Sequence, residues 1–251
     1  MRPRIVDLRV DELEWRPIGP PGLYTRLLSR DEETGARTAL QRAVPAEGYT
    51  APATAHYHHT YEEIFGVTGC FSFDSRRWLT EGGYVYHPPC TVHGFGSAVR
   101  EETTFLSRVG RDLDFNFIQQ PAQNDLYHLD GHPVSPRAAA AFDRAEVMAR
   151  MTTTEFLGTT VEASVLSVHP VTGEGSALVK LPAGWSAAAA RSDSYLELFV
   201  LQGGLGVDGE ACEPHCAYFF YPPHVARNAL AATGPVMALV SFGADIGLGK
   251  A

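Results

Sequence analysis

The sequence repeats itself at a fixed spacing. Gly69 and Gly203 stand 134 positions apart, and so do Glu63 and Glu197, Phe65 and Phe199, Asp74 and Asp208, Tyr84 and Tyr218, Pro88 and Pro222, and Pro89 and Pro223. An offset held across two separate stretches means no net insertion between them, which chance seldom gives. Further upstream, Gly173 to Pro182 echoes Gly35 to Pro45 after a one-residue slip. A chain written twice in this way folds as two like domains, and 251 residues give each enough length to bury a core.

The repeated unit reads as β. Leu23 to Leu28 and Thr38 to Val44 are β-prone runs on either side of the turn-rich Asp31-Glu32-Glu33-Thr34-Gly35. Ile64 to Phe73, the stretch from Gly82-Gly83 to Pro88, and Thr103 to Val109 continue the series. Short strands separated by Gly and Pro turns predict a sandwich or barrel in each half. Residues 111–150 break the pattern. There Ser135-Pro136, followed by the Ala-rich Arg137 to Met148, predicts a capped helix with proline at its first position. The expected division is a first barrel over 1–115, a connector with that helix over 116–155, and a second barrel over 156–251.

Chemistry-bearing residues concentrate in the first copy, in Ala55 to Gly69 (AHYHHTYEEIFGVTG). Alternate side chains of a strand share a face, so His56 and His58 point at one place while Tyr57 points away. Imidazoles with a carboxylate suit Zn, Fe, Ni, Co or Mn. A second stretch, Tyr84 to His93, carries Pro88-Pro89 and, four residues later, His93.

Together these stretches resemble the two signature motifs of the cupin superfamily. His56, His58, Glu62 and Gly69 fall on the first motif, and Pro89 and His93 on the second. The resemblance implies two tandem double-stranded β-helix barrels, an all-β bicupin joined by a short helical connector. It also implies one divalent metal ion in the first barrel, held by His56, His58, Glu62 and His93. The chain is similar to uncharacterised bicupins and to the zinc-binding cupin half of certain anti-sigma factors, which also carry an E-E pair and a Y-x-x-P-P element. Fe(II) is the first choice of metal, with Zn, Ni, Mn or Co as alternatives.

The second copy lacks these groups. Adding 134 to His56, His58, Glu62 and His93 gives Ala190, Ser192, Leu196 and Arg227. None is a usable ligand for a divalent ion, so the second barrel is expected to be metal-free. Glu62 is preferred over Glu63 because Glu63 has a counterpart in that copy, Glu197, which suggests a structural role. His59 lies off the His56/His58 face and is left as a spare ligand or outer donor. His87 aligns with Tyr221 and reads as structural, and His128 and His132 read as exposed loop histidines. Cys212-x3-Cys216 beside His215 has no matching cluster elsewhere; reduced, partly buried thiols are expected for all four cysteines.

If Glu62 points inward, so does Ile64, and if His93 does, so does Phe95; Tyr86 is placed near the barrel mouth. These three are the expected lining of an apolar substrate pocket beside the metal. A net charge of 20 − 29 = −9 with no basic run argues against nucleic acid as a direct ligand. No stretch is apolar enough for a membrane span or leader, so a cytoplasmic location is expected. Assembly as monomer or homodimer is left open. The resemblance implies three function classes. The first is an oxygenase whose small organic substrate chelates the metal, with Glu62 as a candidate base. The second is a non-redox isomerase, cyclase or hydrolase, as among polyketide cyclases. The third is a sensor of metal or small molecules.

Overall fold

The computed structural model describes residues 1–244, Ile246 and Leu248; among them the regular structure is almost entirely β, with one α-helix, Arg144–Ala149. The chain divides into two compact units, Glu14–Glu146, and Met1–Leu13 together with Val147–Ala251. The division differs from the expected 1–115, 116–155 and 156–251. The first thirteen residues belong with the second unit, and most of the expected connector belongs with the first.

Each unit holds a seven-stranded antiparallel sheet with the same plan. In Glu14–Glu146 the order is Ala140–Phe142, Tyr84–His87, Glu62–Thr68, Thr103–Val109, Arg37–Ala43, Leu23–Arg30 and Arg16–Pro17. In the other unit it is Ile5–Arg9, Ala217–Tyr221, Leu196–Gln202, Val236–Phe242, Gly175–Leu181, Thr159–Val168 and Thr152–Phe156. The repeat holds in register as well as in order. Glu62 lies opposite His87 and Ile64 opposite Val85; in the other unit Leu196 lies opposite Tyr221 and Leu198 opposite Phe219.

A smaller three-stranded sheet completes each unit: Ala98–Val99, Cys70–Ser72 and Leu79–Thr80 in one, Ser186–Ala187, Leu230–Ala232 and Leu205–Val207 in the other. The cores form between the layers, with Ile64 and Val85 packed against Phe71 and Leu79 in the first unit. In the second unit Leu196, Leu198 and Phe219 pack with Leu205 and Leu230 in a much larger apolar cluster. The repeated Gly69 and Gly203 have a physical cause. Both adopt left-handed φ (+71° and +86°), and a Cβ would lie 2.3 Å from Glu102 O or 2.5 Å from Pro235 O.

The expected helix over 137–148 is corrected. Ala140–Phe142 is a strand paired with Tyr84–His87, and the helix begins only at Arg144. Its cap is Asp143, whose Oδ1 accepts from Glu146 N (2.9 Å) while Glu146 Oε2 accepts from Asp143 N (2.8 Å), a reciprocal capping box. Alanine propensity is overridden because the sheet edge supplies backbone partners and Arg137 supplies an anchor.

That anchor explains Glu63 and Glu197. Buried Glu63 accepts from Arg108, Arg137 (2.9 Å) and Tyr84 Oη. Buried Glu197 accepts from Arg2 (2.8 Å) and Tyr218 Oη (2.7 Å). Arg2 and Arg137 stand 135 positions apart, each just before the strand that edges its sheet. The repeat therefore extends upstream of the motif stretches, and in each unit a buried ion pair locks the edge strand in place. Removing one partner of such a cluster strands buried charge, at a cost of about 3–5 kcal/mol. Glu63→Ala is expected to lower unfolding free energy by about that amount in urea titration, leaving Arg108 and Arg137 without their carboxylate; a loss below about 1 kcal/mol would contradict this reading.

Candidate metal centre

Two backbone hydrogen bonds bring the two motif stretches together. His56 N donates to His93 O and His93 N to His56 O, both at 2.9 Å. Gly94 must be glycine for this approach, since its φ is +81° and a Cβ would lie 2.5 Å from His56 Cε1. The rings of His56, His58 and His93 then sit with centroids 4.6–5.2 Å apart.

Each imidazole is oriented by the same device. His56 Nδ1 meets Thr54 O at 2.9 Å, His93 Nδ1 meets Thr91 O at 2.9 Å, and His58 Nδ1 meets Asp114 O. A carbonyl can only accept, so Nδ1 carries the proton in all three and Nε2 is left as the lone-pair nitrogen. One donor atom from each ring lies within 4.8 Å of the others. Glu62 Oε2 is 3.3 Å from His93 Nε2. His58 Nε2, His93 Nε2 and Glu62 Oε2 are all buried without a hydrogen-bond partner. Orphaned buried acceptors are costly, and a cation supplied from outside the chain would satisfy them; His93 joins two overlapping sets, one with His56 and His58 and one with Glu62 and His87. The donor set passes that test: imidazole nitrogens and a carboxylate, each imidazole held by an outer carbonyl, suit Zn, Fe, Co, Ni or Mn.

Protonation states agree. Burial, then the neighbouring His93, pushes His56 down to about 4. Burial likewise lowers His58 and His93. Burial opposes the charged form of Glu62, yet the imidazoles of His87 and His93 against its carboxylate outweigh it and hold Glu62 well below its ordinary value. At neutral pH the cluster is three neutral rings and one anion, ready for a divalent ion.

The expected lining residues separate. Ile64 lines a cavity of about 340 Å³ that reaches His56 and Glu62, with Phe71, Phe105 and Phe115. Phe95 lines a different hollow, about 220 Å³, that touches His93 and His87 from another side. Tyr86 is corrected: it pairs with Glu63, not Glu62, and its ring lies under the Arg137 guanidinium, 3.9 Å from centroid to Cζ. Cross-strand register decides this, because Glu62 opposes His87 and so shares its face with His87, not with Tyr86. His87 is thus a residue the sequence reading undervalued; its buried Nδ1, without a hydrogen-bond partner, lies 3.7 Å from Glu62 Oε2. Arg37, Gln41 and Tyr49, which also line the larger cavity, carried no signal in sequence.

In the second unit the same places are filled differently. Ala190 pairs with Arg227, as His56 pairs with His93. Arg227 donates to Ala188 O (2.6 Å) and Asn228 O (2.9 Å), and Ala188 stands where Thr54 does in the first copy. Cys212 and His215 do gather there, with Asp7 rather than Cys216. Both ring nitrogens of His215 already have protein partners, Asp7 Oδ1 and Glu213 O, each at 2.8 Å.

Comparison with known proteins agrees with this fold. The family model of the ChrR cupin-like domain matches residues 5–110. The match makes residues 5–110 similar to a cupin domain. Similar solved structures extend the likeness in fold to both units of the chain. A Nostoc punctiforme protein named as a candidate dioxygenase matches with TM-score 0.75 at 14% identity, covering 98% of this chain and 84% of that one. Salicylate 1,2-dioxygenase from Pseudaminobacter salicylatoxidans matches with TM-score 0.58 at 17% identity, over 83% and 70%. Bacillus subtilis oxalate decarboxylase matches with TM-score 0.54 at 12% identity, over 97% and 78%. At such identities the likeness is one of fold. No curated protein matches the chain's sequence. Among the described residues, no helix is long and apolar enough to cross a membrane.

Two outcomes are expected. Glu62→Ala lowers bound metal, measured by elemental analysis, by roughly tenfold or more, whereas Glu63→Ala leaves the metal-to-protein ratio of the folded fraction unchanged; the reverse ranking would refute the ligand assignment. Metal-stripped protein loses stability as pH falls from 6.5, the ordinary histidine value, toward about 4. In that window the unfolded His56 binds a proton that the folded one refuses, so stability is full above it and declines by roughly 1.4 kcal/mol per pH unit per histidine within it. A denaturation midpoint that stays flat from pH 7 to 4 would contradict the burial of neutral rings.

Proposed function

We propose that the protein is a metal-dependent enzyme of the oxygenase type, acting on a small organic substrate that chelates the ion. The observation that carries the reading is that the 340 Å³ cavity reaches His56 and Glu62, whose Oε2 is buried without a partner, and is walled in large part by apolar side chains. A volume of this size suits a small aromatic or dicarbonyl compound. His56, His58, His93 and Glu62 would hold the ion, which when bound supplies Lewis acidity and, as Fe(II), a site for dioxygen chemistry.

The chain's own residues do the remaining work. Ile64, Phe71, Phe105 and Phe115 exclude water from the reacting end. Burial and the nearby Glu62 charge push the Tyr49 phenol above its ordinary value, so it enters the cavity as a hydroxyl donor. Arg37, whose Nη1 is 3.3 Å from Asp112 Oδ1, brings a fixed positive charge to the same wall. Glu62, ionised at neutral pH, can take a proton from an acidic C–H or O–H of a bound substrate, and His87 beside Oε2 steadies it for that transfer.

The assignment is tested on protein purified without oxygen, by identifying its metal and then measuring dioxygen uptake with 1,2- and 1,3-dioxygenated carbon compounds. Iron with substrate-dependent uptake is expected, and Glu62→Gln should lower kcat at least 100-fold. Zinc with turnover under nitrogen would replace the oxygenase reading by a non-redox isomerase or hydrolase. Binding without any turnover would leave a ligand sensor.

A further inference from the structure

The first unit gathers a second set of soft metal donors, none of them used above. His59, Cys90 and His132 place one ligand atom each within 4.8 Å of the others. We propose that these three side chains form a separate binding site for a borderline-soft divalent ion of the zinc class, with three protein donors and a fourth position open to solvent.

The placement is built, not incidental. Three chain segments are stapled together around the cluster by backbone hydrogen bonds. Cys90 N donates to His58 O at 2.7 Å, and Leu129 N donates to Cys90 O at 2.9 Å. Thr91–Val92 pairs with Tyr127–His128, and the His128 ring bonds His132 O at 2.9 Å, fixing the loop that carries His132. Cys90 itself sits at φ +59°, a turn conformation at which its buried side chain meets the two rings.

His59 is prepared as a ligand in the way that zinc histidines are. Its Nδ1 lies 2.6 Å from Asp114 Oδ2, its backbone N donates to Asp114 Oδ1 at 3.0 Å, and Asn116 Nδ2 donates to the same carboxylate at 2.6 Å. The carboxylate occupies Nδ1 and leaves Nε2 as the donor, the carboxylate–histidine arrangement that fixes tautomer and raises basicity. Adjacent residues serve the two sites: His58 is buried in the first cluster, while the side chain of His59 is exposed. Asp114 serves both, its carbonyl orienting His58 and its carboxylate His59.

Thiolate with imidazoles selects zinc-like ions over the harder metals suited to a carboxylate-bearing set. Tetrahedral zinc with Zn–S and Zn–N bonds of about 2.3 and 2.0 Å puts S and N roughly 3.5 Å apart. The ligand atoms, within 4.8 Å of one another, already lie near that spacing, and backbone bonds hold Cys90 in place. Binding replaces the proton on Cys90 Sγ with the metal and releases that proton to solvent.

Cobalt(II) tests this without reference to activity, because a thiolate ligand gives a sulfur-to-cobalt charge-transfer band in the near ultraviolet that the imidazole and carboxylate set cannot. The full-length protein, metal-stripped and titrated with cobalt(II) alone, is expected to bind two equivalents, one of them with this band. Cys90→Ser abolishes the band, His132→Ala weakens the binding that produces it at least tenfold, and His93→Ala leaves the band in place while removing the other equivalent. If Cys90→Ser does not fold, the loop variant His132→Ala and protection of Cys90 from iodoacetamide by zinc, read by peptide mass spectrometry, decide the matter. Cobalt binding with no charge-transfer band overturns the proposal. So does a band that survives Cys90→Ser but vanishes in Cys212→Ser, which would assign the sulfur to the cluster around His215.

Discussion

Three backbone carbonyls govern this molecule. Thr54, Thr91 and Asp114 each take the Nδ1 proton of one histidine, and in doing so turn three basic Nε2 atoms toward the same buried place. A buried nitrogen lone pair without a donor is unfavourable by about 1–3 kcal/mol. Here His58 Nε2, His93 Nε2 and Glu62 Oε2 share that condition. A cation held among them would relieve that cost. The sheet register that sets Glu62 against His87 and the paired bonds between His56 and His93 serve that arrangement.

The second unit is a control drawn from the same gene product. Strand order, cross-strand register and the left-handed glycine are common to both units. So is the buried Arg–Glu–Tyr lock, Arg137–Glu63–Tyr84 in one and Arg2–Glu197–Tyr218 in the other. What differs is the interior. Glu62, His87 and Ser107 face inward in one copy; Leu196, Tyr221 and Val240 stand there in the other, within a continuous apolar core. The second unit keeps the lock and the turns without the polar cluster, so the frame does not depend on that cluster.

Much of this was legible in the sequence because it depends on short-range rules. The constant offset carried the two-fold architecture, and strand alternation carried the shared face of His56 and His58. The Glu63/Glu197 correspondence marked Glu63 as structural before its arginines could be seen. What escaped depended on pairing at a distance. Tyr86 and His87 are neighbours in the chain, and only the register against Glu62 decides which of them faces the cluster. Residues 137–142 are alanine-rich, and their helix preference yields to a sheet edge and to a buried carboxylate that only tertiary structure supplies. The repeat boundary lay hidden for the same reason, since Arg2 matches Arg137 through its partner and not through its surrounding sequence. His59, left in sequence as a spare ligand or outer donor, and His132, read as an exposed loop histidine, come together through loops whose course no local pattern records.

The central claim is that one ion belongs among His56, His58, His93 and Glu62. X-ray diffraction from protein purified without chelators, recorded on both sides of the absorption edges of iron and zinc, tests it most directly. The account predicts an anomalous peak bonded to Nε2 of all three histidines and to an Oε atom of Glu62. Absence of any peak there, or three imidazoles turned apart with their Nε2 atoms hydrogen-bonded to protein, would contradict it.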